Sequence, residues 1–283
     1  MRNCIFKPKI KFMFSNAIVW NPSEGIDLGF ITLHYYSLMF LIAFTLGWYL
    51  MKKIYLRESI EIEKLDKLFI YTVIATLVGA RLGHVIFYQT ELLWEDPLSV
   101  FLPVQFVPEF KFTGFRGLAS HGAAIGIIIA MYLYSKKVLK KPILWILDRI
   151  TIPVAIGGAF VRLGNFINSE IIGKPTDSDF GVIFKQLGEN FPRHPAQLYE
   201  AFGYIIVFII LWLIYWKTDK RKQQGYIFGV FLVLLWTVRF LVEFVKEAQV
   251  DNRAEWALNT GQWLSIPFIL IGLVLIFRKN KQA

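Results

Sequence analysis

The chain has one cysteine, Cys4, four histidines and few charges: only 18% of its 283 residues are Asp, Glu, Lys or Arg. A single thiol excludes an internal disulfide framework, a cysteine-rich metal site and dithiol redox chemistry. The histidines His34, His84, His121 and His194 never stand at a His-x3-His or His-Glu-x2-His spacing, so no metal is expected. No Gly-x-Ser-x-Gly elbow occurs, which removes the usual serine nucleophile of ester hydrolases. No internal repeat stands out, which speaks against transporter folds built from duplicated halves. The shortage of charge also argues against a water-soluble domain, in which about a quarter of residues are charged.

What is present is apolar. Hydrophobic residues make up 55% of the chain and aromatic ones 17%, and the mean hydropathy is +0.49. Seven stretches approach or exceed the roughly 20 apolar residues that a membrane-crossing helix needs. They are 31–51, 68–88, 118–134, 143–166, 196–216, 226–245 and 262–277. None shows the ten-residue alternation of an outer-membrane barrel, so they read as helices. The expected fold is an all-α polytopic membrane protein with about seven transmembrane helices.

The net charge of +10 would suggest nucleic acid in a soluble protein. Its placement points to a membrane instead, and no nucleic acid partner is expected. Sixteen basic residues lie in 52–67, 135–142, 217–225 and the tail from 278, against seven in the longer alternate connections. By the positive-inside rule the carboxyl terminus is cytoplasmic and the amino terminus outside. Arg2, Lys7, Lys9 and Lys11 run against this, but they precede the first span by about 20 residues, where their influence is weak. Segment 1–12 does not read as a cleavable signal, since Pro8 and three lysines interrupt it, and Met13 is an alternative start. The division is then an outer tail, 1–30; a membrane domain, 31–277, with small extracytoplasmic caps at 89–117 and 167–195; and a cytoplasmic tail, 278–283.

Four basic residues remain, all arginines within spans: Arg81, Arg149, Arg162 and Arg239. A charge in the bilayer is tolerated where it lines a cavity or has a partner. Arg149, beside Asp148 near the cytoplasmic end of its span, reads as an interfacial anchor. At 1.5 Å per residue, Arg81 and Arg239 lie roughly 20 Å above their cytoplasmic ends, and Tyr36 and His121 within about 8 Å of the outer surface. Arg162 stands close to the outer end of its span. Arginine's planar fork holds phosphate bidentately and keeps its charge. Arginines gathered in the outer half of the membrane therefore suggest a phospholipid headgroup. Internal pairing is the competing account, because Arg239 and Glu243 are i, i+4 neighbours.

His121 stands in Gly117-Leu118-Ala119-Ser120-His121-Gly122, among small residues that allow close approach. Histidine is the natural general base near neutral pH; an interfacial, hydrogen-bonded histidine is the plainer alternative. Ser120 does not face it, since adjacent helical residues diverge. In the run Arg162-Leu163-Gly164-Asn165-Phe166-Ile167-Asn168-Ser169-Glu170, a continuing helix would put Arg162, Asn165 and Ser169 on one face, although helix capping would also explain the polarity. In His194-Pro195-Ala196-Gln197-Leu198-Tyr199-Glu200, Pro195 suits a first helical turn. Gln197, Tyr199 and Glu200 are more polar than a lipid-facing entry requires.

Together with Gly79-Ala80-Arg81-Leu82-Gly83, Ser120-His121-Gly122 and Arg239-Phe240-Leu241-Val242-Glu243-Phe244, these motifs resemble the bacterial prolipoprotein diacylglyceryl transferase family over about 31–277. The resemblance implies an enzyme of the bacterial cytoplasmic (inner) membrane with its active site toward the outer leaflet. It would move the diacylglyceryl group of phosphatidylglycerol onto the lipobox cysteine thiol of prolipoprotein signal peptides, release glycerol phosphate and need no cofactor. By motif, Arg162 and Arg239 correspond to the arginines that hold the phospholipid, and His121 to the histidine essential to activity. Asn165, Glu170 and Tyr36 correspond to substrate-binding residues, with Glu243, Arg81, Asn168 and His194 in support. Ala123 and Ser169 stand where the family usually has glycine. A monomer is expected. Because the substrate supplies the thiol, the enzyme needs no cysteine of its own.

Two other classes remain to be weighed. A lipid or anion transporter could use the same arginines, but would need a path to the cytoplasm. An ester-cleaving acyltransferase or phospholipase would need a nucleophile elbow or a paired His-Asp motif.

Overall fold

Each of the seven apolar runs is a helix in the computed structural model, which describes residues 17–29, 32–102, 104–106, 109–112, 117–247 and 258–278. Three short strands lead in: β1 (Ile18–Trp20), β2 (Gly25–Asp27) and β3 (Thr32–His34). The helices are α1 (Tyr35–Arg57), α2 (Ile62–Tyr88), a single turn α3 (Leu92–Glu95), α4 (Ser120–Tyr134), α5 (Ile143–Ile167), α6 (Ala196–Lys217), α7 (Tyr226–Val242) and α8 (Thr260–Phe277). Strands β4 (Val104–Gln105) and β5 (Lys111–Phe112) lie between α3 and α4, and β6 (Val182–Phe184) between α5 and α6. Among the described residues α1, α2, α5, α6 and α8 are long and apolar enough to cross a membrane, as is α4 together with the π-helical turn Ser135–Leu139 that continues it; α7, with 17 residues, is shorter. The chain is an all-α polytopic membrane protein. Cys4, Met13, the amino-terminal basic residues, Arg116, Arg253 and the last lysines lie outside the described residues.

The helix ends differ from the apolar runs for identifiable reasons. Residues 32–34 are drawn into an antiparallel pairing with β2, so α1 starts at Tyr35. It runs on to Arg57 because Lys52 and Lys53 fold back over the Trp48 and Tyr49 rings, at 5.0 and 4.7 Å. Helix α2 begins early, at Ile62, where Glu63 and Lys67 pair at 2.7 Å across one turn. Helix α7 ends at Val242 because the next residues bond to the segment after α5: Lys174 N donates to the Val245 carbonyl and Glu247 N to that of Ile172.

The chain forms two compact units, with boundaries inside α1 and α5. One comprises 48–150. Here α2 and α4 touch backbone to backbone: a Cβ on Gly79 would fall 2.6 Å from the Gly122 carbonyl oxygen, and one on Gly83 2.5 Å from the Gly122 Cα. Only glycine permits that approach, the small-residue packing typical of helices in lipid. Arg149, read as an interfacial anchor, is instead 3% exposed. It pairs with Glu58 at 2.9 Å and lies 4.2 Å from the centre of the Trp145 ring, because Glu58 just past the end of α1 offers a nearer counter-charge than the interface does.

The other unit comprises 1–47 and 151–283. Strand β1 pairs in parallel with β6, and the Trp20 indole N–H donates to the Phe166 carbonyl at 3.1 Å. Trp20, Phe166 and Phe184 pack together there. In the connection between α5 and α6, Arg193 grips Glu189 through Nε and Nη2, at 2.6 and 2.5 Å, and pairs with Glu247 at 3.0 Å. The Glu189 hydrogen bonds raise the Arg193 pKa further above its ordinary value.

Candidate active site

The site is built on the exit of α5. The Ser169 N–H donates to the Phe166 carbonyl and the Glu170 N–H to that of Asn165, at 3.1 and 2.9 Å. This is the Schellman pattern, and it puts Ser169 at the position that wants a left-handed backbone. Its φ is +54°, a conformation that costs a non-glycine residue about 1–2 kcal/mol. The serine hydroxyl donates to Gln186 Oε1 at 2.7 Å. Ile171, at φ +55°, is a second left-handed residue. The expected common face of Arg162, Asn165 and Ser169 therefore does not form, because α5 ends at Ile167 and the chain turns.

That turn folds Glu170 back onto the helix. Its carboxylate accepts from the Asn165 and Asn168 side-chain amides, at 2.9 and 3.2 Å, and its carbonyl from Gln197 Nε2 at 2.5 Å. Asn165 Oδ1 in turn accepts from Arg162 Nη1 at 3.1 Å. The Tyr36 hydroxyl hydrogen-bonds with Asn165, and its ring lies flush on Gly164, where a Cβ would come within 2.7 Å. Tyr36, Arg162, Asn165, Asn168 and Glu170 thus form one connected polar group.

A second chain of contacts starts from Arg162. Its Nε lies 2.6 Å from Oε2 of Glu200, which is wholly buried on α6. The other oxygen of Glu200 accepts from Lys246 Nζ at 2.9 Å, and Lys246 also reaches Glu243 Oε2 at 3.2 Å. Lys246 is 5% exposed. Arg239 stands in the last turn of α7 with its guanidinium 5.2 Å from the centre of the Trp236 ring. Its Nε is buried without a hydrogen-bond partner, and among the described residues it makes no ion pair. The i, i+4 pairing with Glu243 is not formed, since Glu243 is taken by Lys246. His194 Nδ1 is 3.3 Å from the Tyr199 hydroxyl, holding the first turn of α6.

Arg81 and His121 belong to the other unit. The Arg81 guanidinium donates to the carbonyls of Ser99, Val100 and Gly117, at 2.8, 3.1 and 3.5 Å, and so ties the segment after α3 to α2. His121 is exposed in the first turn of α4, with the Phe87 ring edge-on at 4.9 Å and Tyr88 at 6.0 Å. Phe87 also lines an apolar groove of about 560 Å³ that runs along α2 and α4.

The sequence reading missed Lys246, counted there only as a loop lysine, and left Glu200 and Gln197 without roles. The excess polarity at the start of α6 was the available signal. Pairing between residues 46 apart, as in Glu200 and Lys246, follows no local period.

The fold is that of a polytopic helical membrane protein in which Arg162 and Lys246 gather on one fully buried carboxylate, Glu200. The family model described as prolipoprotein diacylglyceryl transferase matches residues 24–278. A protein of Tolumonas auensis is 42% identical over 94% of this chain and 98% of its own length. One of Chloroherpeton thalassium is 41% identical over 95% and 97%, and one of Cupriavidus metallidurans 36% identical over 89% and 91%. All three are named phosphatidylglycerol–prolipoprotein diacylglyceryl transferase. The chain belongs to the prolipoprotein diacylglyceryl transferase family. A transporter finds no support among these relatives.

Proposed function

We propose that this protein transfers the diacylglyceryl group of phosphatidylglycerol to the cysteine thiol of prolipoproteins. The cysteine sulfur attacks the glycerol carbon that carries the phosphate. A carbon–sulfur bond forms, the carbon–oxygen bond breaks, and glycerol phosphate leaves with the bonding electrons. The thiol proton passes to a base, for which His121 is the candidate.

Arg239 is the observation that carries this reading. A guanidinium with a buried unpartnered Nε and no carboxylate partner among the described residues is poised for an anion from outside. Arg162, fixed by Glu200 and Asn165, supplies the second fork. Charge aimed at the leaving phosphate in a dry site lowers the barrier where charge develops. Tyr36, Asn165 and Glu170 line the substrate's place, and Glu243, Asn168, His194 and Arg81 hold the surroundings.

The proposal extends to the setting. The protein acts as a monomer in the bacterial inner membrane, with 31–277 as one membrane domain and its site toward the outer leaflet. No nucleic acid takes part. The amino terminus lies outside and the carboxyl terminus inside, so a reporter fused after Ala283 is active only in the cytoplasm. The central test incubates the purified protein with phosphatidylglycerol vesicles and a lipobox peptide. Thioether-linked diacylglyceryl peptide by mass is the expected product; its absence overturns the function.

A further inference from the structure

We propose that Lys246 is a positioning residue that keeps Arg239 open to phosphate by occupying the carboxylate that would otherwise neutralise it. This role rests on the reading of Arg239 as a phosphate-holding group. Glu243 follows Arg239 by one helical turn, with its N–H still bonded to the Arg239 carbonyl at 3.0 Å. Opposite charges at this spacing on a helix normally pair. Here they do not. Lys246 draws the Glu243 carboxylate to itself at 3.2 Å while holding Glu200 at 2.9 Å.

The start of α8 pulls the same way. A Cβ on Gly261 would lie 2.5 Å from the Glu243 carboxylate, and Asn259, which caps α8, donates its side-chain amide to the Glu243 carbonyl at 3.1 Å. A carboxylate is favoured beside a helix amino terminus. Charge in the cluster then closes on itself. Among the described residues, Arg162 and Lys246 pair directly with Glu200 and Glu243, whereas Arg239 has no direct carboxylate partner. Without the Lys246 ammonium, Glu200 would keep Arg162 but Glu243 would lose its cation. Glu243 could then swing back to Arg239 and compete with the lipid phosphate for the same fork.

The test measures transfer kinetics in the full-length protein with Lys246→Gln, Lys246→Arg and the double variant Lys246→Gln, Glu243→Gln. For Lys246→Gln the KM for phosphatidylglycerol rises by about tenfold, the scale set by a partly buried charge competing for one guanidinium, while kcat changes little. Lys246→Arg, which keeps a cation between the carboxylates, stays close to the parent KM. Removing the competitor in the double variant brings KM back to within a few-fold of the parent, which loss of packing alone would not do. If Lys246→Gln fails to accumulate in membranes, the double variant decides, because it no longer carries the uncompensated carboxylate. An unchanged KM in Lys246→Gln, a loss confined to kcat, or a double variant that stays impaired or does not accumulate overturns the role. A parent protein that makes no thioether overturns the proposed function and this role with it.

Discussion

Tyr55 and Tyr134 meet hydroxyl to hydroxyl at 2.8 Å, and Tyr134 has a second partner in the Lys64 carbonyl, also at 2.8 Å. A carbonyl only accepts, so Tyr134 donates to Lys64 and Tyr55 donates to Tyr134. Both rings are fully buried. Tyr134→Phe strands the Tyr55 hydroxyl, while the Lys64 carbonyl keeps its place in the α2 ladder, and Tyr55→Phe strands nothing; a stranded atom costs about 1–3 kcal/mol against about 1 kcal/mol for one lost bond. Thermal unfolding in detergent should therefore show the larger drop in Tm for Tyr134→Phe. Equal drops, or the reverse order, would refute the donor assignment.

Arg162 and Arg239 should tolerate lysine poorly. Lysine keeps the charge but lacks the planar fork. Transfer is expected to fall by at least about tenfold in Arg162→Lys and in Arg239→Lys, as loss of a charged hydrogen bond to a developing charge implies. Both variants should still be recovered from the membrane. Near-parental turnover in both would make these arginines structural only.

For His121 the discriminating quantity is pH. A cysteine thiol of ordinary pKa, about 8.5, is mostly protonated at pH 7, so a base is worth about 10²–10⁴-fold there. His121→Gln cannot take the proton. Its activity should be low at pH 7 and partly restored at pH 9, where thiolate is abundant. A loss of the same size at both pH values assigns His121 to orientation rather than proton transfer.

Gly122→Val should be among the most damaging single changes in the 48–150 unit. The added side chain meets backbone of Gly79 and Gly83, which cannot move aside as a flexible side chain would. Overpacking of this kind costs about 1–3 kcal/mol or more. A lowered yield of membrane-inserted protein and a reduced Tm are expected; parental stability would mean that α2 and α4 are further apart than described.

The helices were legible because a bilayer demands long apolar runs, and such runs survive in a bare sequence. Their ends were less so: α1 outlasts its apolar stretch because lysine stems lie along its aromatic rings, which composition does not register. The polar run from Arg162 to Glu170 was recognised as a unit. Its geometry was not, since Ser169 gives no signal of a left-handed turn where glycine would have. Arg81 was grouped with the other arginines by depth. Its carbonyl partners are main-chain atoms, and those carry no sequence signature. Lys246 escaped notice because its buried partner, Glu200, lies 46 residues away on α6, although Glu243 stands only three residues before it.

The pairing of β1 with β6 has a consequence in time and in counting. Ile18 and Val182 are neighbours in a parallel ladder, yet α1, α2, α4 and α5 are made between them. Two strands on opposite sides of a bilayer cannot hydrogen-bond, so the intervening chain must traverse it an even number of times, as four helices do. At about 5–20 residues per second of synthesis, the first strand waits on the order of ten seconds or more for its mate. The Trp20 indole can close on the Phe166 carbonyl only once α5 has been made. That contact is compatible only with an even number of crossings between Trp20 and Phe166, and it forms only after both have been made.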